Sequence, residues 1–222
     1  MTFIVTSEFE IGQVASPNLP LAPTDYDSRY QEQLNNVLRL YFNRLDAILE
    51  QLKIGSGSID GSGVQFPYGA FQDSTDQTAA STTVAYPVTF NTTDFSNGVT
   101  MVSGSRITVA TAGLWNLQFS IQLTNNTNAP QDVDIWFRVN GTNVTASNSR
   151  FGLAPRKSAG DPYHVIAALN YFISLNATDY VEIMWRTTDT GVSIEHYPVS
   201  ASPTRPAVPS AIVTMSFVSA LP

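Results

Sequence analysis

The chain has 222 residues, with 11 Lys and Arg against 18 Asp and Glu, two His and no Cys. Only 13% of it is charged, and the formal net charge of −7 opposes non-specific binding to phosphate backbones. The missing cysteines exclude disulfide staples, thiol catalysis and thiolate-held metals, while 43% hydrophobic and 11% aromatic residues suffice for a packed core.

Residues 1–23 are expected to be irregular. A short β-prone run, Phe3–Thr6, precedes the proline-rich stretch Ser16–Pro23, and repeated proline blocks a helix. The first ten residues turn acidic early and lack the basic stretch of a signal peptide. The segment is too small to bury a core of its own. It reads either as disorder or as an arm laid along a partner.

Residues 24–54 are predicted to be one long amphipathic helix. Thr24 to Asp27 supplies a capping side chain with an acid three residues on, and Lys53 and Gly55 suit its end. Its apolar stripe is Tyr30, Leu34, Val37, Tyr41, Leu45, Ile48 and Leu52, widened by Leu38 and Leu49. Tyr30, Tyr41 and Leu52 repeat at eleven residues, as do Leu34 and Leu45, which suits a straight or slightly right-handed bundle. The stripe could pack on the chain's own domain. The Gly/Ser linker that follows, residues 55–63, favours packing on copies of the chain instead.

Residues 64–222 read as an all-β domain. Strands are predicted near 66–71, 84–90, 99–102, 106–110, 114–123, 132–139, 164–175, 179–187, 192–197 and 211–219. Several alternate cleanly: Leu117, Phe119, Ile121 and Leu123 share one face, as do Val133, Ile135, Phe137 and Val139. Such half-buried antiparallel strands, with no helical pattern between them, predict a jelly-roll sandwich. No apolar stretch is long enough for a membrane helix.

Motifs for catalysis are missing: there is no Gly-x-Ser-x-Gly, no phosphate loop and no His-Glu-x-x-His. His164 and His196 are expected on strands, as packed or surface residues. Asp132 and Asp134 share a strand face and could hold calcium with loop carbonyls, although a solvent face is the simpler reading. Glu182 and Glu195 are also expected to point outward. Five Asn-x-Ser/Thr sequons, at Asn91, Asn125, Asn140, Asn143 and Asn176, read as turn chemistry. No cofactor, metal or catalytic residue is expected, and the chain is not expected to be an enzyme.

Several segments together resemble the jelly roll of complement C1q domains and tumour-necrosis-factor-like cytokines. Ser103–Trp115 is similar to that family's hairpin, Val139-Asn-Gly-Thr142 to its turn, and Ala177–Ile183 to a Gly-Asp-x-Val strand start, with Thr178 in place of glycine. The resemblance implies a compact trimer with both head termini at one end. A second segment, Leu19–Leu45, joins a proline-rich arm to a Tyr-Asp-x-Arg-Tyr helix start and a Leu-Arg-Leu-Tyr-Phe helix body. It resembles virion structural proteins of marine tailed bacteriophages.

These resemblances imply a homotrimeric virion protein, assembled in the host cytoplasm. It would be a capsid decoration protein or short head fibre, anchored through its arm and helix to other capsid or tail proteins. The alternative is a tail fibre, adaptor or glycan-binding tip. Within residues 146–161, Arg150, Arg156 and Lys157 are then either solvated or in contact with an acidic neighbour or a carboxylate-bearing host glycan. Nucleic acid and membrane are not expected partners.

Overall fold

The computed structural model describes residues 17–53 and 66–221, with side chains over 17–47 and 66–221. The chain divides into two compact units, Met1–Gln65 and Phe66–Pro222. The Phe3–Thr6 run, the 55–63 linker and the side chains of Ile48, Leu49 and Leu52 lie outside the described residues.

In the first unit, helix α1 spans Ser28–Lys53. It starts four residues later than predicted because Asp27, not Thr24, is the cap. The Asp27 Oδ1 accepts the Arg29 N–H at 2.8 Å, and the Asp27 carbonyl accepts the N–H of Gln31 at 3.2 Å. Aspartate is a stronger cap than threonine, so the helix begins after Asp27 rather than after Thr24. As a cap, Asp27 satisfies an otherwise free amide and puts a negative charge at the positive end of the helix dipole.

Among the described residues, the second unit has eleven strands of three residues or more. The first five in chain order are β1 Tyr68–Asp73, β2 Thr92–Asn97, β3 Val99–Val102, β4 Arg106–Val109 and β5 Gly113–Asn125. Next come β6 Gln131–Val139, β7 Ser149–Leu153 and β8 Tyr163–Leu175. The last three are β9 Tyr180–Thr187, β10 Val192–Ile194 and β11 Ala211–Ser219. One sheet runs β10-β5-β11-β1-β2, with β8 on the other edge of β5, and the other sheet runs β7-β6-β9-β4-β3. The pairings between these strands are antiparallel. The protein is mainly β, and its C-terminal domain is an antiparallel jelly-roll sandwich.

The alternation read from the sequence is the core. Leu117, Phe119, Ile121 and Leu123 of β5 face Val133, Ile135 and Phe137 of β6 and Val181, Ile183 and Trp185 of β9, all buried. Trp115 is fully buried with its ring edge-on to Phe217 at 5.4 Å. Gly113, which begins β5, is needed for close approach: a Cβ there would collide with the Phe217 ring and stand 2.7 Å from the Ser219 carbonyl oxygen.

The segment 84–90 is not a strand beyond Tyr86–Pro87. Pro87 has no N–H to continue a ladder, and Val88 and Phe90 are buried from an irregular segment instead, while Val84 is exposed. Strand β2 escapes prediction because it is an edge strand whose Thr, Asp, Ser and Asn residues are mostly exposed. Strand β7 lies inside the predicted 146–161 loop, as a second short edge strand with a glycine.

Candidate functional site

The two outer faces of the sandwich differ in chemistry. On the β7-β6-β9-β4 sheet, strand register sets charged residues side by side. Arg150 lies opposite Asp134, Asp134 opposite Arg186, and Arg138 opposite Glu182. Arg150 donates to Asp134 through Nε at 2.8 Å and Nη2 at 3.2 Å, and Arg186 adds its Nε at 3.0 Å. These hydrogen bonds, Arg150's foremost, hold the Asp134 carboxyl below the usual carboxylate range despite its burial. Glu182 accepts two bonds from Arg138, at 3.0 and 2.8 Å, and one from Ser105 at 3.1 Å, with Arg106 at 3.7 Å.

These carboxylates correct the expectation of a solvent face. Asp134 is 5% exposed and Glu182 is 3% exposed. Their strand positions do point outward, but arginine stems from neighbouring strands lie over them, so periodicity alone misjudged their burial. Asp134 has both oxygens committed to guanidinium groups. Among the described residues, no group of three or more His, Asp or Glu is placed to hold a metal ion.

Between these two ion clusters lies Trp136, directly opposite Met184. Its Nε1–H donates to Asn143 Oδ1 at 2.8 Å. Beside it is an open depression of about 320 Å³ lined by Asp134, Trp136, Asn143, Asn148 and Arg186, among others. No motif in the sequence marks this site. The hairpin signal Val139-Asn-Gly-Thr142 lies next to it, with both Asn140 (φ 48°) and Gly141 (φ 82°) in the left-handed region, as a tight primed turn requires.

On the opposite face, three adjoining strands carry no charge. Strands β5, β8 and β11 contain no Asp, Glu, Lys or Arg. Their outward positions carry Asn116, Gln118, Ser120, Thr214 and Ser216 among apolar residues. Ile166 is 57% exposed and Phe172 55%, with Ile212 and Val218 also exposed. Strand β8 pairs with β5 alone, through all 13 of its residues, so its other edge has no strand partner among the described residues.

At one end of this face the two histidines do not meet. His164 Nδ1 lies 3.1 Å from both Thr124 Oγ1 and Tyr197 Oη. His196 lies beyond β10, off any strand, and uses its backbone N–H on Asp76 at 2.7 Å. The Tyr197 hydroxyl donates to Glu195 at 2.6 Å. Burial, reinforced by that acceptor, pushes the phenol up to about 12 and keeps it protonated.

The three cations read together in the sequence go to separate partners. Arg150 is bound to Asp134 on β6. Arg156 donates its Nε to Asn128 at 2.7 Å, and Lys157 stands 3.7 Å from Asp161. In α1, Tyr30, Leu34, Val37, Leu38, Tyr41 and Leu45 are half-buried, whereas Leu40 and Phe42 are exposed. Of the sequons, Asn125 is fully buried, its amide donating to the carbonyls of Ala129 and Ala154.

No family model matches the chain, and no curated protein matches it. Among solved structures it is similar to the globular domain of zebrafish complement 1qA protein. That comparison has 13% identity and a TM-score of 0.41, and covers 71% of this chain and 100% of that one.

Proposed function

We propose that the chain is a self-assembling structural protein whose jelly-roll head forms a homotrimer through the outer face of β5, β8 and β11. The observation that carries this reading is the composition of that face. A long edge strand without charge, proline or strand partner is what soluble monomers avoid, because it invites association. Exposed Ile166, Phe172, Ile212 and Val218 add apolar surface that a neighbouring copy would remove from water. Burial of an uncharged face carries little desolvation penalty, whereas the opposite face would have to strip its arginines. A ring of three heads joined face to edge closes by rotation.

In this reading α1 bundles with its copies through Tyr30, Leu34, Val37, Leu38, Tyr41, Leu45, Ile48, Leu49 and Leu52. The arm, residues 1–23, attaches the trimer to a larger assembly. We read that assembly as a virion, with capsid or tail proteins as neighbours, on the likeness of Leu19–Leu45 to tailed-phage virion proteins. The work is assembly and display rather than turnover.

Sedimentation equilibrium of the full-length protein tests the core of the proposal. The expected mass is three times 24.1 kDa. Ile166→Lys with Phe172→Asp should dissociate the heads, and Leu34→Asp with Leu45→Asp should loosen the helices. A monomer at micromolar concentration, or a trimer indifferent to both pairs, refutes it. In purified particles the protein should be present in a multiple of three copies; its absence from them rejects the virion setting.

A further inference from the structure

The geometry points to the depression beside Trp136 as a binding site for a saccharide that carries a carboxylate. The site has the three elements such a ligand needs: an aromatic ring, amides and an unspent cationic fork.

Trp136 is the only one of the three tryptophans that reaches the surface. Trp115 and Trp185 are 0% and 1% exposed, whereas Trp136 is half-buried. Its indole N–H is already bonded to Asn143 Oδ1 at 2.8 Å, which fixes the ring's orientation. That bond uses the acceptor of Asn143 and leaves its amide N–H groups to donate. Asn148, exposed and also lining the depression, offers a second amide. Arg186 gives only its Nε to Asp134, and its side chain is 42% exposed, so its two terminal nitrogens remain available. A guanidinium already aimed by a buried carboxylate is suited to a second, planar carboxylate. The sugar ring's C–H face would lie on Trp136, its hydroxyls on Asn143 and Asn148, and its carboxylate on Arg186.

The wall of the site is rigid. The Ser147 hydroxyl donates to the Val144 carbonyl at 2.8 Å and accepts the Phe137 N–H at 3.1 Å, with Ser147 only 3% exposed. This clamp holds Ala146, which lines the depression, at φ 59°. A left-handed alanine persists only where its surroundings dictate it, and such positions concentrate at binding sites. The site lies on the charged outer face, so it stays open when the uncharged face is buried. It does not depend on the trimer.

Intrinsic fluorescence of the full-length protein is the direct test. D-glucuronate, D-galacturonate and N-acetylneuraminate, as methyl glycosides, serve as probes, with methyl glucoside as the neutral control. All emission change should come from Trp136 and vanish in Trp136→Phe. Arg186→Gln should weaken the acidic sugars by about tenfold or more while leaving the neutral sugar unchanged. Lys157→Ala, away from the depression, should change nothing. Near-UV circular dichroism of each variant checks that it is folded. Because Arg186→Gln leaves Asp134 paired with Arg150, loss of binding with an intact spectrum reads on the site. Asn148→Ala, at an exposed position, gives a second variant with the same expectation for all sugars. Equal affinity for acidic and neutral sugars overturns the carboxylate assignment, and no response to any saccharide overturns the site.

Discussion

Thr178 offers a quantitative test of how the turn before β9 is built. It sits at φ 71°, in the left-handed region, where a β-branched residue is strained. Its side chain is exposed, and its backbone N–H donates to the Val109 carbonyl at 2.8 Å, a bond any residue keeps. Thr178→Gly therefore removes strain without removing packing. The left-handed conformation costs a residue with a Cβ about 1–2 kcal/mol. Glycine returns about 0.5–1 kcal/mol of that through its looser unfolded chain. The balance is a gain of about 0.5–1 kcal/mol, which for a domain of this size raises Tm by about 1–4 °C. Asparagine tolerates this region better than threonine and should fall between. Differential scanning calorimetry on the three proteins decides the matter, with Ala177→Gly as a control expected to destabilise. A Thr178→Gly protein that melts at or below the parent temperature refutes the strain argument.

Glu182→Gln should destabilise the head by about 2 kcal/mol, because Arg138 and Arg106 then face a neutral buried amide but can partly recover water; urea midpoints measure this. The depressed carboxyl of Asp134 means that its contribution is present above the ordinary carboxylate pKa of 3.8 and is lost as pH falls below it. Asp134→Asn should flatten the acid limb of stability between about pH 5 and about pH 2, and an unchanged limb contradicts the assignment. Tyr197 should titrate near 12, above the ordinary phenol value of 10.0, by ultraviolet difference absorbance. Since the fold favours its protonated form, stability holds below the ordinary value of 10.0 and declines as pH rises toward about 12. Gly113→Ala should cost about 2 kcal/mol or more, because both the Phe217 ring and the Ser219 backbone must shift.

Alternation carried most of the fold. Strands β5, β6, β8 and β9 are long, and the residues they give to the apolar core fall at alternate positions, so pattern and structure agree on which face turns inward. What escaped were short edge strands: Thr92–Asn97 is almost wholly exposed and has no buried face to betray it. The site was less legible for a different reason. Arg150, Asp134 and Arg186 lie on β7, β6 and β9, and only register makes them neighbours. The same holds for Glu182, whose burial comes from Arg138 and Arg106 on adjacent strands rather than from its own sequence context. Trp136 gave no signal because its partner, Asn143, looked like turn chemistry.

The uncharged outer face of β5, β8 and β11 has a consequence for how an assembly responds to its medium. Small ions screen charges, and with no Asp, Glu, Lys or Arg on its three strands, and Glu195 beside His164 only at one end, this face offers them little to screen. Contacts made across it would hold alike in dilute buffer and in brine. The opposite face, laced with arginine and carboxylate, is where ionic strength acts, so changes in salinity would retune what the head captures while leaving its joints closed.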